Sequence, residues 1–168
     1  MLKIKFNTAY QVVDVAILRN TYDGLKILLC KKKGKQLWQF VGGFSDPDSF
    51  SLEDDARREV KEETDVDITY PKYIGSCKID DERFVGLKDA MKSAFFVAYY
   101  INGNAVARDD IDDVRWVKVD SIKPTDIVPK HRILWFMLKL HLTQRELSDK
   151  MNQKEKQDDD ARSDSRTG

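Results

Sequence analysis

Only two cysteines, Cys30 and Cys77, occur in the chain, each inside an apolar or strand-like run. That scarcity argues against a disulfide framework and leaves two reduced thiols as the expectation. Neither sign of charge is in excess, since Lys plus Arg and Asp plus Glu each total 29. The bulk positive field that holds a protein on nucleic acid or anionic lipid is therefore missing, and selectivity for a charged ligand has to be local. No nucleic-acid partner and no membrane are expected. Long hydrophobic runs are missing too. Stretches such as Ile133 to Leu140 fall well short of the roughly 20 residues of a spanning helix, and the N-terminus has no continuous apolar signal core, so the cytoplasm is the expected location. No internal repeat is apparent. With 168 residues and 41% hydrophobic content, the chain suits one well-packed domain and is short for two.

The remaining pattern is one of strands and two helices. Gln11 to Arg19 and Leu25 to Lys31 are rich in β-branched and aliphatic residues, with Tyr22-Asp23-Gly24 between them as turn chemistry. Leu37 to Val41 alternates large apolar groups before Gly42-Gly43, where a strand turns sharply or lets a ligand approach its backbone. Ser51-Leu52-Glu53-Asp54 fits a capping box and predicts a helix from Ser51 to about Glu63. Further strands are expected at Asp67 to Ile79, Ser93 to Ile101 and Val114 to Val119. A helix is expected over His131 to Leu142, packed on the sheet. After Ser148 the chain is polar, which predicts a domain over residues 1–148 and a disordered tail over 149–168.

The predicted helix near residue 51 carries the sharpest chemical signal. At 3.6 residues per turn, Leu52, Ala56 and Val60 form its buried stripe, while Asp54, Arg57 and Lys61 face solvent. Glu59, Glu62 and Glu63 fall together in an arc of roughly 100° that overlaps one edge of that stripe. Glu59 and Glu63 are an i,i+4 like-charge pair, which costs an isolated helix about 0.2–0.5 kcal/mol. Arg58 answers part of this charge through Glu62, but one guanidinium does not neutralise three carboxylates. A hard cation with oxygen ligands would, and magnesium that keeps waters and binds phosphates suits the arrangement. The plain alternative is a solvated acidic helix face. The upstream Gly pair and the helix phase favour the metal.

The run Gly43 to Val66 resembles the Nudix box, G-x5-E-x7-R-E-U-x-E-E-x-G-U, where U is a bulky aliphatic. Arg58-Glu59-Val60-Lys61-Glu62-Glu63 matches its R-E-U-x-E-E core residue for residue. Trp38-x-Phe40, Gly42-Gly43, a later Arg115-Trp116-Val117 strand and a C-terminal helix at His131 extend the resemblance over about residues 9 to 142. Four departures stand out. The spacing from Gly43 to Arg58 is one residue longer than the pattern. Phe50 falls where the box has its first Glu, and Asp46 or Asp48 from the enlarged loop are the candidate substitutes. Asp65 replaces the box Gly, and Val41 stands where many relatives have Pro.

The resemblance implies an α/β protein of Nudix type, an α/β/α sandwich with a mixed β-sheet. It also implies a Mg2+- (or Mn2+-) dependent hydrolase of the pyrophosphate bond in a nucleoside diphosphate joined to another group. Glu59, Glu62 and Glu63 would hold the metal with the Gly42 carbonyl, and Arg58 would orient them. A general base outside the box is expected from the acidic run before the Val114 strand, Asp109-Asp110 and Asp112-Asp113, with Asp112 and Asp113 the leading candidates. Trp38 and Phe40 are candidates for stacking on a base, with core packing as the alternative, and Arg83, Lys88 and Lys92 for meeting phosphate or ribose. The stretch Asp80 to Phe96, with the Asp14 strand and the His131 helix, is similar to the ADP-ribose and NAD-metabolism branch. The partner expected is therefore a small-molecule nucleotide, with a homodimer as the candidate assembly. A catalytically weak nucleotide-sensing module is the competing reading, and Phe50 is its main support.

Overall fold

The structure is a computed structural model that describes residues 9–81 and 91–164, with side chains described as far as residue 157. Its elements are β1 (Tyr10–Thr21), β2 (Gly24–Lys32), β3 (Val41–Phe44), α1 (Leu52–Thr64), β4 (Asp67–Ile68), β5 (Lys72–Ile79), β6 (Met91–Asn102), β7 (Ile111–Lys118) and α2 (Arg132–Asp164). Three short 3-10 turns join β7 to α2. The strands form one mixed sheet in the order β4-β6-β1-β2-β7, with β3 also paired to β1 and β5 to β6. β1 and β6 run parallel, and the other pairings are antiparallel. This is the α/β architecture with a mixed sheet that the sequence predicts.

β1 explains its own burial. Val12 through Leu18 form a near-continuous apolar run, as expected for a strand covered on both faces. Val12, Ala16 and Leu18 join Phe40, Phe95, Leu134, Trp135 and Leu138 in the core beneath α2. Val13, Val15 and Ile17 join Ala56, Val60, Phe96 and Ala98 in the core beneath α1. Asp14 is the one charged residue in this run and is also buried.

The free edge of β1 is shared. β2 pairs with it over Ile17 to Thr21, and β3 takes over from Val15 to Val12. Beyond Leu28 the chain leaves β1 and continues against β7, returning through a single bridge between Cys30 and Gln39. Where one partner gives way to the other, β2 and β3 part, and Gly42 pairs opposite Asp14 beside that gap.

Several elements differ from expectation. The strand expected over Asp67 to Ile79 is two strands, because Pro71 cannot donate to a ladder and interrupts it. Leu37 to Phe40 is not a strand. Trp38 and Gln39 make isolated bridges, and the Phe40 N–H is given to His131 Nδ1 at 3.2 Å. The stretch expected as a disordered tail after Ser148 has helical backbone to Asp164. It contains no Gly or Pro, and its Lys, Gln, Met and Ala residues suit a helix, so one nucleated on the sheet propagates outward. Its side chains from Thr143 to Gln157 are exposed. None of the helices, among the described residues, is long and apolar enough to cross a membrane.

Exposed helix of this kind adds little to global stability. Deleting residues 151–168 is expected to lower the circular dichroism signal at 222 nm while leaving the melting temperature unchanged. A clear fall in melting temperature would show that the distal helix docks on the domain.

Candidate functional site

α1 begins and ends as its sequence dictates. The Ser51 side chain accepts from the Asp54 N–H at 3.1 Å, which caps the N-terminus, and acidic residues fill the first turn. Asp65 closes the helix in the left-handed conformation at φ 59°, so Asp does there what the box Gly would do. The helix lies across β3 with Ala56 and Val60 fully buried.

Between α1, the β1–β3 opening and the start of α2 lies a cavity of about 440 Å³. Gly42, Gly43, Glu59, Glu63, Arg58 and Asp46 line one wall, and Asp14, Gln39, Lys130 and His131 another, with Lys32, Asp109 and Asp110 at its rim. The two inward glutamates differ in setting from the third. Glu63 is buried and accepts the Gly42 N–H at 3.1 Å. Glu59 is 13% exposed and pairs with Arg58 at 2.9 Å. Glu62 is 56% exposed and takes the same guanidinium at 2.9 Å. The expectation that all three glutamates overlap the edge of the buried stripe is corrected for Glu62, which lies exposed on the outer flank of the helix, beside Arg58.

Burial sets the protonation of the inner pair. It raises the Glu63 pKa to about 8, against the opposing effects of the Gly42 N–H and Lys32. Burial also raises the Glu59 pKa, with Arg58 opposing it. Among the described residues no Lys or Arg forms an ion pair with Glu63, so its carboxyl faces the cavity without a cationic partner and burial holds it protonated until pH approaches 8. The glycines let β3 lie close to β1 and leave room for Glu59. A Cβ on Gly42 would stand 2.0 Å from the Val13 carbonyl oxygen, and one on Gly43 would stand 2.5 Å from Glu59 Oε2.

Of the other expected site residues, some are brought to this cavity and some are not. Asp109 and Asp110 line it, with Asp110 paired to Lys32 at 2.6 Å. Asp112 and Asp113 do not line it. Asp112 accepts the Gly34 N–H at 3.1 Å and Asp113 pairs with Arg115 at 3.2 Å, because strand alternation and the loop at Gly34 direct them elsewhere. Trp38 is away from the cavity, with Lys31 at 4.3 Å and Arg115 at 5.3 Å from its ring centre. Phe40 is fully buried, edge-on to Phe95 at 4.9 Å, so it is a core residue and not a stacking platform. Arg83 and Lys88 lie outside the described residues, and Lys92 is exposed on β6. Asp46 borders the cavity and Asp48 does not. Cys30 and Cys77 are free thiols.

Sequence reasoning missed a polar group opposite the glutamates. Asp14 accepts Ser93 Oγ at 2.6 Å and faces His131 Nε2 at 3.6 Å. The Phe40 N–H on Nδ1 leaves His131 its proton on Nε2, and burial lowers its pKa, so the ring is neutral. A charged residue interrupting a fully apolar strand run was the available signal.

The chain matches the NUDIX domain over residues 9–136. With the box core on α1 and this mixed sheet, it belongs to the Nudix family. It is 27% identical to a MutT/nudix family protein from Enterococcus faecalis, at a TM-score of 0.58, over 69% of this chain and 46% of that one. The chain thus spans about half the length of that relative. The NUDIX domain of Shewanella oneidensis NrtR, solved with ADP ribose, superposes at a TM-score of 0.67 with 20% identity, over 82% of this chain and 90% of that one. An ADP-ribose pyrophosphatase from Streptococcus suis gives 0.59 with 21% identity, over 81% and 91%. No curated protein matches the sequence.

A carboxyl group with its folded pKa raised from 4.5 to about 8 binds more protons in the folded than the unfolded state between those values. Its favourable contribution is complete below pH 4.5 and is lost as pH rises toward 8, with a slope of up to about 1.4 kcal/mol per pH unit. The metal-free protein is therefore expected to melt at lower temperature at pH 8 than at pH 5, and Glu63→Gln to flatten that dependence. Parallel melting curves for the two proteins would show Glu63 to be ionised throughout.

Proposed function

We propose that this chain is a Mg2+-dependent (or Mn2+-dependent) hydrolase of the pyrophosphate bond in a nucleoside diphosphate linked to another group, with ADP-ribose or a related dinucleotide as the favoured substrate. The observation that carries the proposal is the pair Glu59 and Glu63, set against Gly42-Gly43 in one cavity, with the buried Glu63 lacking a cationic partner. Among the described residues no three His, Cys, Asp or Glu side chains stand in a ligating cluster as they lie, since Arg58 engages Glu59 and Glu62. The donor chemistry nevertheless fits a hard cation: oxygen ligands on one helix, a glycine turn that leaves room, and a carboxylate whose burial penalty a cation would relieve. Glu59, Glu62 and Glu63 are the residues that would hold it, with the Gly42 carbonyl as a further donor. A divalent cation bound there would neutralise the pyrophosphate and lower the pKa of a water.

The chain's own residues account for the rest. Arg58 holds Glu59 and Glu62 by one nitrogen. Asp109 and Asp110 at the rim are better placed than Asp112 and Asp113 to take a proton from an attacking water. Lys32 and Lys130 supply positive charge beside the acidic wall. The lean to ADP-ribose is supported by the Shewanella domain solved with ADP ribose, and by a Francisella tularensis bifunctional NMN adenylyltransferase/ADP ribose pyrophosphatase solved with AMP and a Mn ion.

A nucleotide-sensing module with weak turnover is the second reading, favoured by Phe50, whose side chain is 98% exposed and supplies nothing to the cavity. Release of nucleoside monophosphate from a panel of ADP-ribose, NADH, diadenosine polyphosphates, nucleoside triphosphates and sugar nucleotides separates the two. Turnover of ADP-ribose with Mg2+ is expected, and a thermal shift without turnover would favour the sensor.

Two sets of variants follow. Glu63→Gln is expected to lower kcat about 100-fold or more, at the upper end of the loss typical of groups that only support metal ligands, and Glu62→Gln to lower it less steeply. Near wild-type turnover of Glu63→Gln at limiting Mg2+ would remove it from the site. Gly43→Ala is expected to displace the Glu59 carboxylate and cut kcat with little loss of melting temperature, because the clash is with the end of a flexible side chain. Unchanged kcat would show that Glu59 can work from another rotamer.

A further inference from the structure

Asp55 is a carboxylate 1% exposed on α1, one turn before Glu59, and no feature of the sequence singled it out. An ion so placed costs several kcal/mol unless its oxygens are satisfied. Here they are satisfied by one loop and one side chain. Oδ1 accepts Ser49 Oγ at 2.6 Å and the Asp46 N–H at 3.1 Å, and Oδ2 accepts Ser45 Oγ at 2.8 Å. Arg58 Nη2 lies 3.4 Å from Oδ1 and also donates to the Phe44 carbonyl at 3.0 Å. Burial by itself would raise the Asp55 pKa, but the bonds from Ser49, Asp46 and Ser45 and the Arg58 contact outweigh it and keep the group ionised.

The two ends of the Arg58 fork therefore have separate tasks. Nη1 reaches Glu59 and Glu62, while Nη2 is anchored by Asp55 and Phe44. If a cation claims the two glutamates, the Nη2 anchor is what keeps the guanidinium from leaving with them or swinging into solvent. The same carboxylate closes the enlarged loop between β3 and α1, so that Asp46 borders the cavity while Phe50 projects outward. We propose that Asp55 is the positioning residue of this site: it holds Arg58 over Glu59 and Glu62 and fixes the 45–49 loop at the cavity rim. The proposal rests on the metal-site reading above.

Asp55→Asn keeps the shape and the hydrogen-bonding capacity toward Ser45, Ser49 and the Asp46 N–H, but removes the charge that Arg58 sees. Ser49→Ala removes one loop bond and leaves the Arg58 contact in place. Mn2+ binding followed by electron paramagnetic resonance reads the site without turnover, and kcat, KM and melting temperature are measured beside it. Wild-type Mn2+ binding with ADP-ribose turnover establishes the metal-site reading first. Wild type that binds no Mn2+ would remove that reading and the proposal with it, whereas wild type that binds Mn2+ without turnover still allows the variants to be compared. Asp55→Asn is expected to weaken Mn2+ binding roughly 10–100-fold and to lower kcat more than it raises KM, with Ser49→Ala near wild type in both. Arg58→Gln should weaken binding to a similar degree, and the double variant no further than either single one. If Asp55→Asn does not fold, Asp55→Glu, which keeps the charge one methylene further out, is read in its place and should lie between wild type and Arg58→Gln. A lowered melting temperature with Mn2+ affinity and kcat intact would overturn the proposal and leave Asp55 a structural anchor. Additive losses in the double variant would overturn the route through Arg58.

Discussion

Strand β1 offers one edge to two successive partners, and the site depends on that exchange. If β2 ran alongside β1 for its whole length, β3 could not pair there and Gly42 would not stand opposite Asp14. Instead β2 diverges toward β7 and β3 pairs with β1 in its place, so the Gly42-Gly43 backbone is brought to the cavity wall. Gly42 is tied to this arrangement sterically, since any side chain there would meet the Val13 backbone. The Gly42 N–H then serves Glu63, which links the strand opening directly to the helix that carries the acids.

Charge is distributed unevenly across that opening. The α1 wall holds a gradient from buried Glu63 through partly covered Glu59 to exposed Glu62, and Arg58 spans its outer half. The opposite wall holds Asp14 beside a neutral His131. A nucleotide diphosphate brings more negative charge to a cavity already rich in it. On the proposed function such a ligand would need added cations to enter this cavity, which is the electrostatic basis for joining metal and substrate in one reading.

Much of this was legible in the chain. Strand positions followed from apolar runs between turn residues, and Ser51 marked the helix start because a hydroxyl cap satisfies N–H groups that the helix cannot. The three glutamates were identified by helix phase, and the R-E-U-x-E-E core by its residue order. Pro71 and the behaviour of Leu37 to Phe40 were harder to read, because apolar alternation looks the same whether a strand pairs, kinks or hands its N–H to a histidine. The loop acids were harder still. Asp109 and Asp110 differ from Asp112 and Asp113 by two to four positions in one charged run, and only the path of β7 decides which pair meets the cavity.

The sequence by itself determined which helix carries the acids, which of its faces is apolar and where a glycine turn precedes it. Those properties depend on spacing along a helix and on backbone freedom, both of which are local. Tertiary structure decided how deeply each glutamate is buried, that Phe40 belongs to the core, that Asp14 and His131 meet on the wall opposite α1, and that Asp55 collects Ser45, Asp46, Ser49 and Arg58. The first three depend on contacts between segments distant in sequence or on how far water is excluded, and the Asp55 cluster on the path of the loop before α1, and periodicity along one segment carries no information about any of these.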